Sequence, residues 1–358
     1  MFPYKLYPIN KQMRNAIIEQ DLKFIIDSDV PWQAMEGKNI LISGANGFLA
    51  NYLVETILFL NENKFKNKAK VFALDRNKDR FESYKNRNDF MPIVQDICQP
   101  IEIKDEIHFI IHTASQASPK YYGKDPVGTL SANILGTKNL LDLAREKKVE
   151  SFLFFSAGLV YGEFAEKDVK IKENTFGSLD PTDVASCYGE SKRMAETMCA
   201  CWLHQYGVPT KIVRPAHTYG PGVRLDDGRV YADFVSDIIN NRNITMKSDG
   251  KAVRTFCYIA DATVAFFLVL LKGENGKAYN VADNKGETSI LDLANLLAGL
   301  FPEKNLKVER KEIFQEGYIK SKIERHFLDT SRIIGLGWEP KHSLEQGFAR
   351  IIKSYETI

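Results

Sequence analysis

The chain is poor in the features that would settle its class at a glance. Five cysteines in 358 residues (Cys98, Cys187, Cys199, Cys201 and Cys257) are scattered without metal-ligand spacing. Cys199 and Cys201 fall in a helical pattern, where neighbours two apart point different ways. All five are read as reduced thiols in a cytoplasmic protein, with no metal site expected. No apolar run approaches the roughly 20 residues of a membrane span. Met1-Phe2-Pro3-Tyr4-Lys5 lacks the apolar core of a signal peptide. The formal net charge is only +2, which argues against a nucleic-acid surface. Repeats and low-complexity segments are absent too. With 44% hydrophobic and 26% charged residues, the composition is that of an ordinary globular protein. Its length suits one large α/β domain with a smaller lobe.

What is present begins at Asn39. Asn39–Ser43 is a short apolar run rich in β-formers, broken at Gly44 and Gly47, and from Ala50 to Leu58 apolar residues recur at helical spacing. Strand, glycine turn and helix are the parts of a pyrophosphate cradle: backbone N–H groups at a helix N-terminus face the anion and the helix dipole favours it. Gly44 permits the tight turn, Gly47 the approach of the phosphate, and Ala50 keeps helix and strand close. Alone, Gly-x-x-Gly-x-x-Ala also fits a merely structural turn.

The context favours the cradle. Strands are expected at 70–75, 89–96, 108–112, 151–155, 210–214 and 278–282, with long helices at 125–148 and 188–206 and shorter ones near 232–241 and 289–301. This alternation predicts a Rossmann-type doubly wound parallel sheet (α/β) with right-handed crossovers. The expected organisation is a helical extension at 1–36, a dinucleotide-binding domain at 37–220, and a mainly substrate-binding lobe at 221–358 that interleaves with it. In the extension, Ile18, Leu22, Ile25 and Ile26 mark a helix that Pro31 should stop. It is either a cap on the main domain, or a dimer contact or part of a site lid.

Asp75 closes the second strand, where a carboxylate accepts hydrogen bonds from the adenosine ribose and repels a 2′-phosphate. That favours NAD over NADP, although either Arg76 or Arg80 could face a phosphate. Asp96, after the third strand, is a candidate for the adenine amino group. Tyr188-Gly189-Glu190-Ser191-Lys192 puts a tyrosine and a lysine on one helix face. A lysine there can lower the tyrosine pKa and hold the nicotinamide ribose, so that the phenolate removes a proton from a sugar hydroxyl as hydride leaves the same carbon.

Together these motifs make the chain resemble an extended short-chain dehydrogenase/reductase of the NAD-dependent nucleotide-sugar epimerase/dehydratase family, over residues 38–350. Besides the glycine loop and Tyr188/Lys192, the matching segments are His112-Thr113-Ala114-Ser115, Asn133 with Gly136-Thr137, Val160-Tyr161-Gly162, and Arg214-Pro215 with Tyr219-Gly220-Pro221. Three more resemble the UDP-glucuronate decarboxylases (UDP-xylose synthases): Ala114–Pro119, Asp226–Val230 and Arg254–Asp261. The resemblance implies NAD contacts at Gly44, Asn46, Gly47, Phe48, Leu49, Asp75, Asp96, Ile97, Thr113, Ala114, Ser115, Asn133, Tyr188, Lys192 and Pro215. It implies substrate contacts at Ser118, Lys120, Tyr122, His217, Arg229 and Arg254, the two arginines facing the substrate pyrophosphate. It also implies a homodimer, built on a bundle of two helices from each subunit.

The chain departs from that pattern beside the tyrosine. Counting back from Val160, the usual hydroxyl position is Ala157 and the usual acidic position Leu159. Neither can do that work. Ser156, one residue away, is the candidate stand-in, although a strand would point it the other way. His217 stands where relatives commonly place an asparagine, either to hold a phosphate or donate a proton, or as a packed histidine. Lys120, Tyr121 and Tyr122 are further candidates for the missing acid or base. The expected function is NAD-dependent change of a nucleotide-activated sugar through a transient 4-keto intermediate, foremost epimerisation. The alternatives are decarboxylation or 4,6-dehydration, a net keto-sugar reductase or dehydrogenase, and a non-catalytic sensor of NAD or a nucleotide sugar.

Overall fold

Alternation at every second residue builds the two cores of the main domain. In strand β1 (Asn39–Ser43), Ile40 and Ile42 point into one apolar cluster and Leu41 into another. β2 (Lys70–Asp75) repeats this, with Val71 and Ala73 on one side, and Phe72 and Leu74 on the other. Strands buried on both faces belong to a parallel sheet covered by helices on both sides. The computed structural model has that sheet and describes residues 14–164, 170–311, 325 and 327–356, without the side chain of Lys120.

With β3 (Phe90–Val94), β4 (Phe109–His112) and β5 (Ser151–Phe155), after which comes the two-residue β6 (Lys170–Ile171), and with β7 (Thr210–Pro215), the strands follow the expected positions. β8 (His217–Tyr219), β9 (Ile244–Met246) and β10 (Val253–Tyr258) come next, then β11 (Ala278–Val281). The large sheet has seven strands in the order β11-β7-β5-β4-β1-β2-β3, all parallel. Pro92 sits in β3, at the edge, where a missing N–H costs least. The order reverses between β1 and β4, which opens a crevice at the carboxyl ends of those strands.

Helix α1 (Ala16–Asp27) is capped by Asn15, which accepts from the N–H groups of Ile17 and Ile18. It ends at Asp27, four residues before Pro31, where the Ser28 N–H returns to the Ile25 carbonyl. α2 (Phe48–Asn63) follows the glycine turn. α3 (Pro119–Tyr122) is one turn, and α4 (Pro126–Lys147) and α5 (Cys187–Tyr206) are the two long helices. α6 (Val230–Ile239), α7 (Ile259–Lys272), α8 (Ile290–Gly299), α9 (Ser331–Ile334) and α10 (Leu344–Glu356) complete the set among the described residues. α4 and α5 pack together on one face of the sheet, and α2 and α7 on the other, with α1 against them and against α10. Asp21 of α1 is fully buried and accepts from Tyr52 (3.0 Å), Tyr258 (2.8 Å) and Arg350 (2.6 Å). The extension is thereby tied to α2, β10 and α10. No described helix is long and apolar enough to cross a membrane.

The later chain builds smaller sheets, including β8 parallel to β10 and β10 antiparallel to β12 (Glu287–Ser289). It also returns β11 to the edge of the large sheet beside β7. Tyr219, Tyr231, Phe256 and Phe348 meet edge to face or stacked beneath this lobe, with ring centroids 4.3–6.4 Å apart.

Candidate active site

A cavity of about 1210 Å³ runs along the carboxyl ends of the strands, between the sheet and the later lobe. Its floor is the glycine turn. Gly44 has φ +69°, and a Cβ there would lie 2.8 Å from the Ala114 Cα, so only glycine fits. Gly47 is the N-cap of α2 and supplies no capping side chain. The first-turn N–H groups are left to an acceptor from outside the helix, as a pyrophosphate provides. Asp75 is held in place by the N–H groups of Asn46 (3.1 Å) and Asn77 (2.9 Å) and lines the cavity. Asn46, Phe48, Leu49, Asp96, Ile97, Thr113, Ala114, Ser115 and Pro215 line it too. Thr113 donates to the Ser43 carbonyl at 2.6 Å, which ties β4 to the turn. These residues fit a dinucleotide: an uncapped helix start, a backbone-fixed carboxylate, and Asn46 Oδ1 buried without a partner among the described residues.

Asn133 is placed differently. It is fully buried on α4, lines no part of the cavity, and donates to Ser191 Oγ at 2.9 Å. Ser191 in turn donates to the Tyr188 carbonyl at 2.9 Å. Asn133 therefore braces α4 against α5 under the catalytic helix. Helix periodicity gives a face and not a partner, so the sequence could not separate the two roles.

Tyr188 and Lys192 share one face of α5 and line the cavity, at 5% and 2% exposure. Burial raises the Tyr188 phenol to about 12, against the Arg229 charge. The Lys192 ammonium donates to the Phe155 carbonyl at 2.7 Å and lies 4.8 Å above the Phe154 ring. Burial lowers it to about 7, against the Glu196 charge. The helix start fits tightly: a Cβ on Gly189 would meet Leu179 at 2.8 Å and the Leu159 carbonyl at 3.2 Å. Arg193 donates to the carbonyls of Val160 (2.6 Å) and Gly177 (2.8 Å), locking the turn Gly158–Tyr161 onto α5.

The wall beside Tyr188 is apolar. Ala157 packs with Tyr122, Cys187 and Tyr188, and Leu159 packs against that group. Ser156 Oγ is buried and lines the cavity, with no partner among the described residues. Tyr122 stacks on Tyr188 with centroids 5.0 Å apart and planes 17° apart. Its hydroxyl donates to the Ala117 carbonyl at 3.0 Å, and burial pushes its pKa well up, so it is a packing partner of Tyr188 and no free acid.

Among the substrate candidates, Ser118, Tyr122, His217, Arg229 and Arg254 line the same cavity, while the Lys120 side chain lies outside the described residues. His217 is exposed, tilted over Phe256 with centroids 5.6 Å apart, and is not a packed core histidine. Arg229 pairs with Asp227 (2.6 Å) and donates to the Ala117 carbonyl (3.2 Å). Asp227, which the sequence places in the Asp226–Val230 segment but not among the candidate contacts, and Glu163 line the cavity too. The Arg224-x-Asp226-Asp227-Gly228-Arg229 charge alternation was the available signal for the first.

Fold and site together define a dinucleotide-binding Rossmann enzyme with a Tyr/Lys pair at the nicotinamide end. The model of the NAD dependent epimerase/dehydratase family matches residues 40–282, and the chain belongs to that family. It is 33% identical over 312 residues to UDP-glucuronic acid decarboxylase 5 of Arabidopsis thaliana, covering 86% of each chain. To UDP-glucuronic acid decarboxylase 1 of Xenopus tropicalis it is 30% identical, covering 88% of this chain and 71% of the relative. Among solved structures it resembles UDP-glucose 4-epimerase from Thermotoga maritima with UDP-glucose (TM-score 0.73, 24% identity, 89% and 99% coverage). It also resembles UDP-glucuronic acid 4-epimerase from Bacillus cereus with NAD (TM-score 0.72, 23% identity, 89% and 99% coverage). The protein is thus an NAD-dependent enzyme of nucleotide-sugar chemistry in the extended short-chain dehydrogenase/reductase family.

Proposed function

We propose that this enzyme oxidises C4 of a nucleotide-activated sugar and restores it with inverted configuration. Tyr188 takes the proton of the C4 hydroxyl as a phenolate and gives it back to the same oxygen when the carbonyl is reduced. NAD, bound along the glycine turn, supplies the acceptor and then the donor of the C4 hydride. Lys192, anchored on the Phe155 carbonyl with its nitrogen 5.8 Å from the centre of the Tyr188 ring, brings positive charge near the phenol when protonated, and the Arg229 guanidinium acts on the phenol as well. Each favours the phenolate over the phenol. Arg229 and Arg254 are placed along the cavity to meet a sugar-bound diphosphate.

The observation that carries this reading is the apolar wall of Ala157 and Leu159. Epimerisation at C4 asks for one proton carrier, Tyr188. A 4,6-dehydration needs a further acid to expel a hydroxyl, and Leu159 has no proton to give. A second reading, decarboxylation, is favoured by the named relatives. A 4-keto uronate is a β-keto acid: its C5–carboxylate bond breaks without a general acid, the electron pair moves into the C4 carbonyl as an enolate, and C5 is protonated afterwards. The test is the product formed by NAD-loaded enzyme with UDP-glucose and UDP-glucuronate. A C4 epimer without loss of CO2 supports the first reading. CO2 with a pentose product replaces it by the second.

Homodimerisation belongs to the same proposal. Val127 and Leu135 of α4 and Met194 of α5 are large apolar side chains left 47–70% exposed on the paired long helices. Sedimentation of the protein and of a Leu135→Glu, Met194→Glu variant tests it: a monomeric wild type would end the idea.

A further inference from the structure

Arg80 has no counter-ion among the described residues. Among the described residues, Arg14, Arg87, Arg214, Arg224, Arg229 and Arg350 each face a carboxylate. The half-buried Arg80 guanidinium makes no hydrogen bond or ion pair with any described residue. Its backbone is fixed. The turn that follows, Phe81–Tyr84, is anchored by Phe81 against Phe90 (5.6 Å) and Tyr84 stacked on Phe90 (4.3 Å), while the Tyr84 hydroxyl donates to Glu55 at 2.5 Å. The side chain lines the dinucleotide cavity together with Gly47, Phe48 and Asp75. Asp75, the nearby acid, already has each carboxylate oxygen on a backbone N–H. From the later lobe Arg224 brings a second positive charge toward Arg80, and the carbonyl of the adjacent Val223 is held by the Tyr355 hydroxyl. Burial makes the charged form of Arg80 less favourable than in water, with Arg224 acting in the same direction. A cation placed like this costs stability unless an anion completes it.

We propose that Arg80 is a ligand of the NAD pyrophosphate. It brackets the anion from outside the glycine turn, with Arg224 opposite it on the other lobe. The α2 N-terminus and Arg80 then approach one diphosphate from two sides, and the later lobe closes over it through Arg224. The 2′-phosphate of NADP offers the same chemistry, but Asp75 holds the ribose position against a second negative charge.

The test uses protein stripped of nucleotide, titrated by calorimetry with NAD, ADP-ribose and NADP, in wild type, Arg80→Gln and Arg80→Lys. Charge-assisted hydrogen bonds of this kind set the expected loss for Arg80→Gln at roughly tenfold to a hundredfold for both NAD and ADP-ribose, with partial recovery in Arg80→Lys. The stripped Arg80→Gln protein should melt no lower than wild type, since the uncompensated charge is gone, and its NAD affinity should depend less on salt. Unchanged affinity for NAD and ADP-ribose overturns the proposal. So does a loss confined to NADP, which would place Arg80 at the 2′ position. A stripped Arg80→Gln protein that melts several degrees lower, or does not fold, overturns it too, by making the residue structural.

Discussion

The Lys192 ammonium sits 2.7 Å from the Phe155 carbonyl, at the end of the strand that leads into the Ala157–Leu159 wall. That contact fixes the lysine on the sheet instead of leaving it in solvent, and burial draws its pKa from 10.5 to about 7. The unfolded chain keeps its proton up to about pH 10, so between pH 7 and 10 it binds more protons at this position than the folded protein. Stability of the nucleotide-free protein should therefore rise with pH across that window, and this contribution is lost progressively as pH falls from about 10 to about 7. Urea unfolding at pH 7 and pH 9 should show the rise in wild type and a smaller one in Lys192→Met. Equal increments in both proteins would rule the titration out.

Tyr188 reaches the cavity from a helix whose other contacts are independent of its hydroxyl. Tyr188→Phe keeps the stack on Tyr122 and the Ser191 bond to the residue 188 carbonyl. The variant should fold and bind NAD like wild type, while turnover falls by about 10²- to 10⁴-fold, the usual contribution of a positioned acid–base group. Turnover within threefold of wild type would remove Tyr188 from the chemistry.

Arg214 is the structural arginine of the site. It bonds Glu196 through Nε (2.9 Å) and Nη2 (2.5 Å), and Nη1 donates to the Tyr161 hydroxyl and the Glu173 carbonyl, both at 2.9 Å. The pair is 7% and 13% exposed. Glu196→Ala leaves a buried guanidinium without its anion, and the expected cost is about 3–5 kcal/mol. Chemical denaturation measures it. A change below 1 kcal/mol would show that the Tyr161 hydroxyl and the Glu173 carbonyl carry the charge unaided.

The elements around the site were legible because each is a local signal. Ile40, Leu41 and Ile42 spell a strand buried on both faces, Gly44 and Gly47 a turn only small residues can make, and Tyr188 and Lys192 one helix face. What could not be read were partners brought together from distant segments. Asn133 matched a cofactor motif, yet the packing of α4 on α5 turns it onto Ser191. Tyr122 was a candidate acid until folding put its hydroxyl on the Ala117 carbonyl. Arg76 and Arg80 look equivalent beside Asp75; folding leaves Arg76 exposed and Arg80 half-buried, which tells them apart. The alpha extension shows the same limit, since Asp21 finds Tyr258 and Arg350 more than two hundred positions away.

The departure at Ala157 and Leu159 can be reversed one residue at a time, with opposite expected effects on Tyr188. Both positions pack against the group that holds the phenol. Ala157→Ser adds a hydroxyl that can donate to the phenolate, which stabilises the charged form and lowers the phenol pKa. Leu159→Glu adds a negative charge beside it, which raises the pKa. Oxidation needs the phenolate, so the acid limb of kcat/KM against pH follows this group in the free enzyme. The limb should move down by about one pH unit in Ala157→Ser and up by about as much in Leu159→Glu, as expected for one neighbouring donor or charge. Measured at pH 7, Ala157→Ser should then be the faster of the two. Shifts in the same direction, or none, would mean that this wall does not control the protonation of Tyr188 and that the acid limb belongs to another group, such as His217.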